Sequence, residues 1–259
     1  MNIIRTALTP ALALTLLAGA AQAQFAFNGI TIDTITANTG RQAAFPGDFN
    51  GDGHVALIVT TGNNFGGEVL LYLSDGAIVP SFTRSTIGTL ANAPLQIFAA
   101  DLDVDGDIDV VVPTSTGGGL LWLENDGAES PSFISNPIAA GGYLTAFVAD
   151  MDNDGFPDIV AGTGSGTGSG LRVFEHDQQP DPGFTENLLQ GGITTFDVAA
   201  GDLDGDSDID IITSDAFSGD VLWFESVAGA AFLPPATIFS FNIFGPDRVS
   251  IADLTGDGA

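Results

Sequence analysis

Apolar positions along the chain fall in short runs, separated by clusters of Gly, Asn, Asp and Pro, and no stretch keeps a helical period. The runs recur in a fixed order. An apolar segment comes first, at 95–99, 145–149, 196–200 and 248–252. A polar, Asp-rich loop follows it. Then comes a β-branched run, at 55–60, 108–112, 159–161 and 209–213. An aromatic-apolar segment is next, at 70–73, 120–123, 171–174 and 221–224. A last segment opens on Phe82, Phe133, Phe184 or Phe232. Each unit therefore predicts four short strands joined by turns.

The Asp-rich loops set the period. Their leading acids are Asp48, Asp101, Asp150, Asp202 and Asp253, spaced 53, 49, 52 and 51 residues apart. A four-stranded unit at about fifty residues is the size of a propeller blade. A solenoid repeats at a shorter period, and a sandwich domain needs about a hundred residues. Runs such as Val110-Val111-Val112, apolar at every position, suit strands covered on both faces. The expected fold class is all-β, a β-propeller of four-stranded blades, with four complete blades and a truncated fifth. Blade bounds are about 42–90, 91–140, 141–190 and 191–244, with a partial blade over 245–259. A segment at 25–36, including Phe27 to Ile35, resembles the outer strands and is expected to close a larger ring, whose remaining blades would follow Ala259. The Gly-Ser stretch 162–170 falls where other units have their second hairpin turn. A phosphate loop there would need a Lys and a following helix, and neither is present.

Charge narrows the function. Across 259 residues the formal net charge is −28; there is no Lys, and the cations are Arg5, Arg41, Arg84, Arg172 and Arg248. Such a chain repels phosphate backbones and anionic lipid, so no nucleic-acid partner is expected. Cys is absent, which excludes disulfides. Arg5, the apolar run 7–17 and Ala21-Gln22-Ala23 together predict a signal peptide over 1–23, cleaved before Gln24. That run is shorter than the roughly 20 residues of a bilayer span, so the expected location is secreted or cell-surface, without a membrane span.

Of the 33 acids, 18 lie in the five loops. The shared pattern is D-x-[DN]-x-D-G-x-x-D. It is complete in Asp101, Asp103, Asp105, Gly106 and Asp109, and again in Asp150, Asp152, Asp154, Gly155 and Asp158. The fourth loop holds Asp202, Asp204, Asp206 and Asp210, with Ser207 in place of Gly. The first holds Asp48, Asn50, Asp52 and Gly53 but ends on Ala56; the fifth holds Asp253, Thr255, Asp257 and Gly258. Hard oxygen donors on alternate residues of a tight turn suit Ca2+, and packed carboxylates repel one another without a cation. One ion per loop gives four to five sites. His54, Asp107, Phe156 and Asp208 stand where a main-chain carbonyl would ligate. An EF-hand is excluded, because position twelve is Val59, Val112, Ala161 or Thr213 and β-branched runs flank each loop.

The strings Ala100-Asp101-Leu102-Asp103-Val104-Asp105-Gly106-Asp107-Ile108-Asp109-Val110 and Leu121-Trp122-Leu123-Glu124-Asn125-Asp126-Gly127 resemble the FG-GAP/VCBS repeat family. That family is similar in its calcium loops to the propeller of integrin α-subunits. The resemblance runs over about 25–259. It implies a propeller with Ca2+ in the loops between the first two strands of each blade, and a role in adhesion or ligand binding. Ala56, Ser207 and Thr255 depart from its pattern.

No catalytic constellation is legible. His54 and His176 occupy non-equivalent positions and read as surface loop residues. Glu124, Glu175 and Glu225 recur at one position, as do Tyr72, Trp122 and Trp223, which suits packing between units better than catalysis or sugar stacking. The expected function is a secreted, calcium-binding, non-catalytic binding or adhesion module for an extracellular protein or polysaccharide. The alternative is the propeller domain of an extracellular carbohydrate-active enzyme, a polysaccharide lyase or glycosidase.

Overall fold

A computed structural model of the chain describes residues 32, 43–63, 66–92, 94–115, 117–164, 166, 168–227, 231–240 and 248–252. The chain divides into two compact units, 1–36 and 37–259. In the first only Ile32 is described, so the expected signal peptide and most of the closing segment lie outside the described residues, as do Asp253, Thr255 and Asp257.

Among the described residues of the second unit every element is a strand. The first sheet contains β1 (Ala44–Gly47), β2 (Ala56–Asn63), β3 (Gly66–Ser74) and β4 (Phe82–Leu90). The second contains β5 (Phe98–Ala100), β6 (Asp109–Thr114), β7 (Gly119–Asn125) and β8 (Phe133–Ala139). The third contains β9 (Tyr143–Ala149), β10 (Asp158–Thr163), β11 (Gly170–His176) and β12 (Phe184–Gly191). The fourth contains β13 (Thr195–Gly201), β14 (Asp210–Asp215), β15 (Asp220–Phe224) and β18 (Ala236–Ser240). Between β15 and β18, β16 (Ser226–Val227) and β17 (Ala231–Phe232) pair with each other. All pairings are antiparallel and sequential within each sheet.

The fourth sheet keeps the expected pairing but interrupts it. Phe232 pairs with Ser226 as Phe133 pairs with Asn125 and Phe184 with His176. Pro234 and Pro235 follow; without N–H groups they cannot continue a ladder, so pairing resumes only at Ala236.

The second strands explain the unbroken apolar runs. Every residue of β6, β10 and β14 is buried. Three clusters fill the gaps between successive sheets. Ile58, Val69 and Leu71 meet Val110, Val112 and Leu123; Val111, Leu120 and Trp122 meet Ala146, Ile159 and Phe174; Val160, Leu171 and Val173 meet Val198, Ile211 and Phe224. Tyr72 and Trp122 are almost fully buried, so they serve packing. The outer strands β4, β8, β12 and β18 are the most exposed. Each third-to-fourth pairing carries a register shift at the same repeat position, at Val69/Leu70, Leu120/Leu121, Leu171/Arg172 and Val221/Leu222. A shift of this kind bends the outer strand and strengthens its twist.

The first strands approach one another. Phe45, Phe98 and Phe147, each three residues before a leading Asp, form a ladder with ring centroids 5.4 and 4.7 Å apart. The Gln96 side chain reaches past the third sheet and donates to Asp197 Oδ1 in β13 (2.7 Å), while Val249 N–H donates to Asp197 Oδ2 (2.9 Å).

Candidate metal centres

Each of the four described acidic loops is the turn between the first and second strands of its sheet. In an antiparallel meander these turns all emerge at one end, together with the third-to-fourth turns. The loop is built from its own aspartates. Asp101 Oδ1 accepts from Asp105 N–H (3.1 Å) and Oδ2 from Gly106 N–H (3.0 Å). Asp150 does the same with Asp154 (3.0 Å) and Gly155 (2.8 Å), and Asp48 with Asp52 (3.2 Å) and Gly53 (2.8 Å). In the fourth loop Asp202 accepts from Gly205 (2.7 Å) and Ser207 (3.0 Å). The amides of His54, Asp107, Phe156 and Asp208 donate to Oδ1 of Asp52, Asp105, Asp154 and Asp206.

Two backbone positions in each of the four described loops are left-handed. The sixth is the place where the shared pattern carries Gly, at Gly53 (φ 80), Gly106 (φ 101), Gly155 (φ 92) and, in its stead, Ser207 (φ 76). The fourth was not legible, because only two of its occupants are glycine: Gly51 (φ 66), Val104 (φ 60), Asn153 (φ 60) and Gly205 (φ 83). Gly and Asn tolerate this region, whereas a β-branched Val there is strained.

The ninth-position aspartates are a different class of group. Asp109, Asp158 and Asp210 are almost fully buried, at the start of β6, β10 and β14. Oδ2 accepts from Leu102, Met151 and Leu203 N–H at 3.0, 2.9 and 3.1 Å. Oδ1 accepts from Asn125, His176 and Ser226 N–H, at 2.8 Å each, where the third strand ends or has just ended. One carboxylate thus ties the loop to the third strand.

Among the described residues three groups bring carboxylate oxygens within 4.8 Å of one another: Asp101, Asp103 and Asp109; Asp150, Asp152 and Asp158; Asp202, Asp204 and Asp206. Three of the expected ligands therefore converge in each of the second and third loops, in groups that do not include Asp105, Asp107 or Asp154. In the fourth the group closes through Asp206, without Asp210. In the first, Asn50 Nδ2 donates to Asp52 Oδ2 (3.0 Å), and Ala56 supplies no carboxylate.

The electrostatics follow from crowding and burial. Desolvation pushes Asp109 up to about 7, against the lowering effect of the Asn125 and Leu102 amides. Desolvation likewise raises Asp158 to about 6. Asp103 rises to about 6 through desolvation and then the charges of Asp105 and Asp101. Asp152 and Asp204 are raised by the same pair of causes. A bound divalent cation would reverse this, since it favours the ionised form of every carboxylate around it.

His176 is not the surface residue expected. It ends β11, is buried, stacks on Phe156 (5.0 Å) and meets Phe184 edge-on (5.6 Å). The expectation failed because the residue ends a strand inside the contact between two sheets. His54 lies exposed in the first loop.

The FG-GAP-like repeat profile matches residues 48–112, 101–161 and 150–213, each match running from one acidic loop through the next. No curated protein sequence matches the chain. Among solved structures the chain is similar to an Agrocybe aegerita lectin that recognises non-reducing terminal N-acetylglucosamine. The identity is 15% and the TM-score 0.44, over 79% of this chain and 67% of the lectin. It is also similar to the V. cholerae biofilm matrix protein Bap1, at 18% identity and a TM-score of 0.39, over 79% of this chain and 39% of that protein. Among the described residues no helix is long and apolar enough to cross a membrane.

Proposed function

This chain belongs to the FG-GAP-like repeat family, and from that premise we propose that it is a calcium-binding β-propeller, exported by its 1–23 leader, that acts outside the cell as a non-catalytic binding or adhesion module. The observation that carries the reading is the recurrence of one carboxylate group, at one turn, in three successive sheets. A solvated acidic surface would not keep its oxygens within 4.8 Å of one another in register with the repeat.

Asp101, Asp103 and Asp109, then Asp150, Asp152 and Asp158, then Asp202, Asp204 and Asp206 would hold the ions. All-carboxylate donor sets on flexible turns favour Ca2+ over Mg2+, which keeps more of its water. The cation supplies charge neutralisation, and the loops then serve as rigid corners between strands. Ring architecture is supported by the converging first strands, since Gln96 of the second repeat reaches Asp197 of the fourth. The partner would be an extracellular protein or polysaccharide.

The test is thermal unfolding of the full chain, with and without Ca2+, beside an assay for reducing ends released from a polysaccharide panel. A large rise in melting temperature with Ca2+ and no release is the expected result. Ligand at a hundred times its Kd stabilises by about 2.7 kcal/mol per independent site. A melting curve indifferent to excess chelator would end the calcium reading, and catalytic release of reducing ends would end the non-catalytic one.

A further inference from the structure

Resting on the reading of the chain as a binding module, the geometry points to a glycan site at the end of the sheets opposite the acidic loops, between the third and fourth sheets, that takes a neutral sugar residue. A cavity of about 660 Å3 opens there, lined by Tyr143, Leu144, Arg172, Glu186, Phe196 and Phe217 together with glycines of the neighbouring turns. Its volume lies within the roughly 300–1,000 Å3 of small-ligand pockets. Much of the lining comes from second-to-third turns and fourth-to-first connections, which an antiparallel meander sends to the end away from the acidic loops, and Tyr143, Arg172, Glu186 and Phe196 join it from strands of the third and fourth sheets.

The site is set apart by what does not repeat. Residues that recur in every sheet serve every sheet, whereas residues that break the repeat serve one place. Arg172 stands where the other third strands carry Leu70, Leu121 and Leu222. Its Nε donates to Glu186 Oε1 at 2.6 Å, and its Nη2 and Nη1 donate to the carbonyls of Gly168 and Gly170. That ion pair bridges β11 and β12. Phe217 sits in a turn of the fourth sheet at 73% exposure, and Phe196 at 40%. Two phenyl rings left in water beside a cavity are costly unless something covers them.

These features select the ligand class. A pyranose has an apolar C–H face and an edge of hydroxyls. Phe196 and Phe217 offer apolar rings for the face. The Arg172–Glu186 pair offers donors and acceptors together for the hydroxyls, since guanidinium only donates and carboxylate only accepts. Thr163 and Thr194 add hydroxyls to the lining. A uronate or sulfated sugar is disfavoured. Arg172 is already neutralised by Glu186, and the chain carries −28 overall. A purely apolar ligand would leave the ion pair desolvated without partners.

The experiment is isothermal titration of the calcium-loaded full chain with cellotriose, mannotriose, galactotriose, triacetylchitotriose and trigalacturonate, repeated on Phe217→Ala and Arg172→Leu. Arg172→Leu restores the residue found at that position in the other sheets, and Phe217 is exposed. Calcium-dependent melting should therefore be unchanged in both. The expected result is that a neutral trisaccharide binds better than trigalacturonate, and that each substitution weakens it by about tenfold or more, the scale of losing one anchor side chain. Binding of no neutral trisaccharide, preference for trigalacturonate, or unchanged affinity in both variants would each overturn the site. Those outcomes, with calcium stabilisation intact, leave the module reading standing. Loss of calcium stabilisation in the unsubstituted chain strikes that reading instead.

Discussion

The imidazole of His176, at the end of the third sheet's third strand, bonds through Nε2 to the main-chain carbonyl of Leu102, 3.1 Å away in the acidic loop of the sheet before. Gln178 N–H donates into Nδ1 at 2.8 Å, so the ring proton sits on Nε2 and the imidazole is the donor to Leu102. Asn125 occupies the same place one repeat earlier. Its Nδ2 donates to Phe49 O (2.9 Å) in the first loop and to Ile108 O (3.0 Å) in its own. Ser226 follows one repeat later, and its shorter side chain leaves Oγ buried without a partner. The residue type changes while its place between sheets does not.

Removing these straps should loosen the sheets. His176→Phe keeps an aromatic ring against Phe156 but strands the buried Leu102 carbonyl, and Asn125→Ala strands that of Phe49. Each is expected to cost about 1–3 kcal/mol, read as a shift of the urea midpoint in saturating Ca2+. Unchanged midpoints would show that solvent satisfies those carbonyls.

Strain at the fourth loop position is removable. Val104 is held at φ 60 while half exposed, and nothing it packs against requires the isopropyl group to be there. Val104→Gly should stabilise the chain by about 1 kcal/mol, and Ser207→Gly, at φ 76, by a similar amount. Differential scanning calorimetry of the calcium-loaded variants checks both. A clear loss in either would place the cost of the turn elsewhere.

The loops should not contribute equally. Asp101→Ala and Asp150→Ala each remove an oxygen from a complete group, whereas Asp48→Ala acts on a loop that lacks a ninth carboxylate. Calcium titration followed by calorimetry should rank the first two substitutions well above the third. Equal losses at all three positions would mean that the ligand set is not the one described.

Acidity should act in opposite directions on the two forms of the protein. Asp103, Asp109 and Asp158 are held above the ordinary value of 3.8, to about 6, 7 and 6, chiefly by burial. In the cation-free chain their contribution is complete below 3.8 and is lost as pH rises through those values. A cation needs the ionised carboxylates, so its binding weakens as pH falls through the same window. The melting temperature in chelator should therefore fall between about pH 4 and 7, while the increment given by Ca2+ grows. An increment independent of pH would show that these carboxylates are not ligands.

The sequence disclosed what depends on residue type and hid what depends on the main chain. Apolar runs marked the strands, and alternating acids marked the turns. Ser207 was legible as left-handed because Gly fills that place in the other loops. The left-handed fourth position was not, since Val104 and Asn153 stand there beside two glycines. His176 was misread because Asn125, His176 and Ser226 share a position but no chemistry; what recurs is an amide donated to a ninth-position Asp. Phe232 matches Phe82, Phe133 and Phe184 in type and in pairing, and what stayed hidden was the break that Pro234 and Pro235 put after it. Arg172 was visible as a charge among leucines, but only the fold brings Glu186, Phe196 and Phe217 to it.

The straps point one way, from each sheet back to the loop of the one before it. A sheet lost from the C-terminal side takes its donor along and leaves behind a carbonyl that water can reach. A sheet lost from the N-terminal side likewise uncovers a donor such as Asn125 on the sheet that remains. Each strap therefore runs against the direction of the chain, so the acidic loop it reaches is held by a residue that follows it in the sequence.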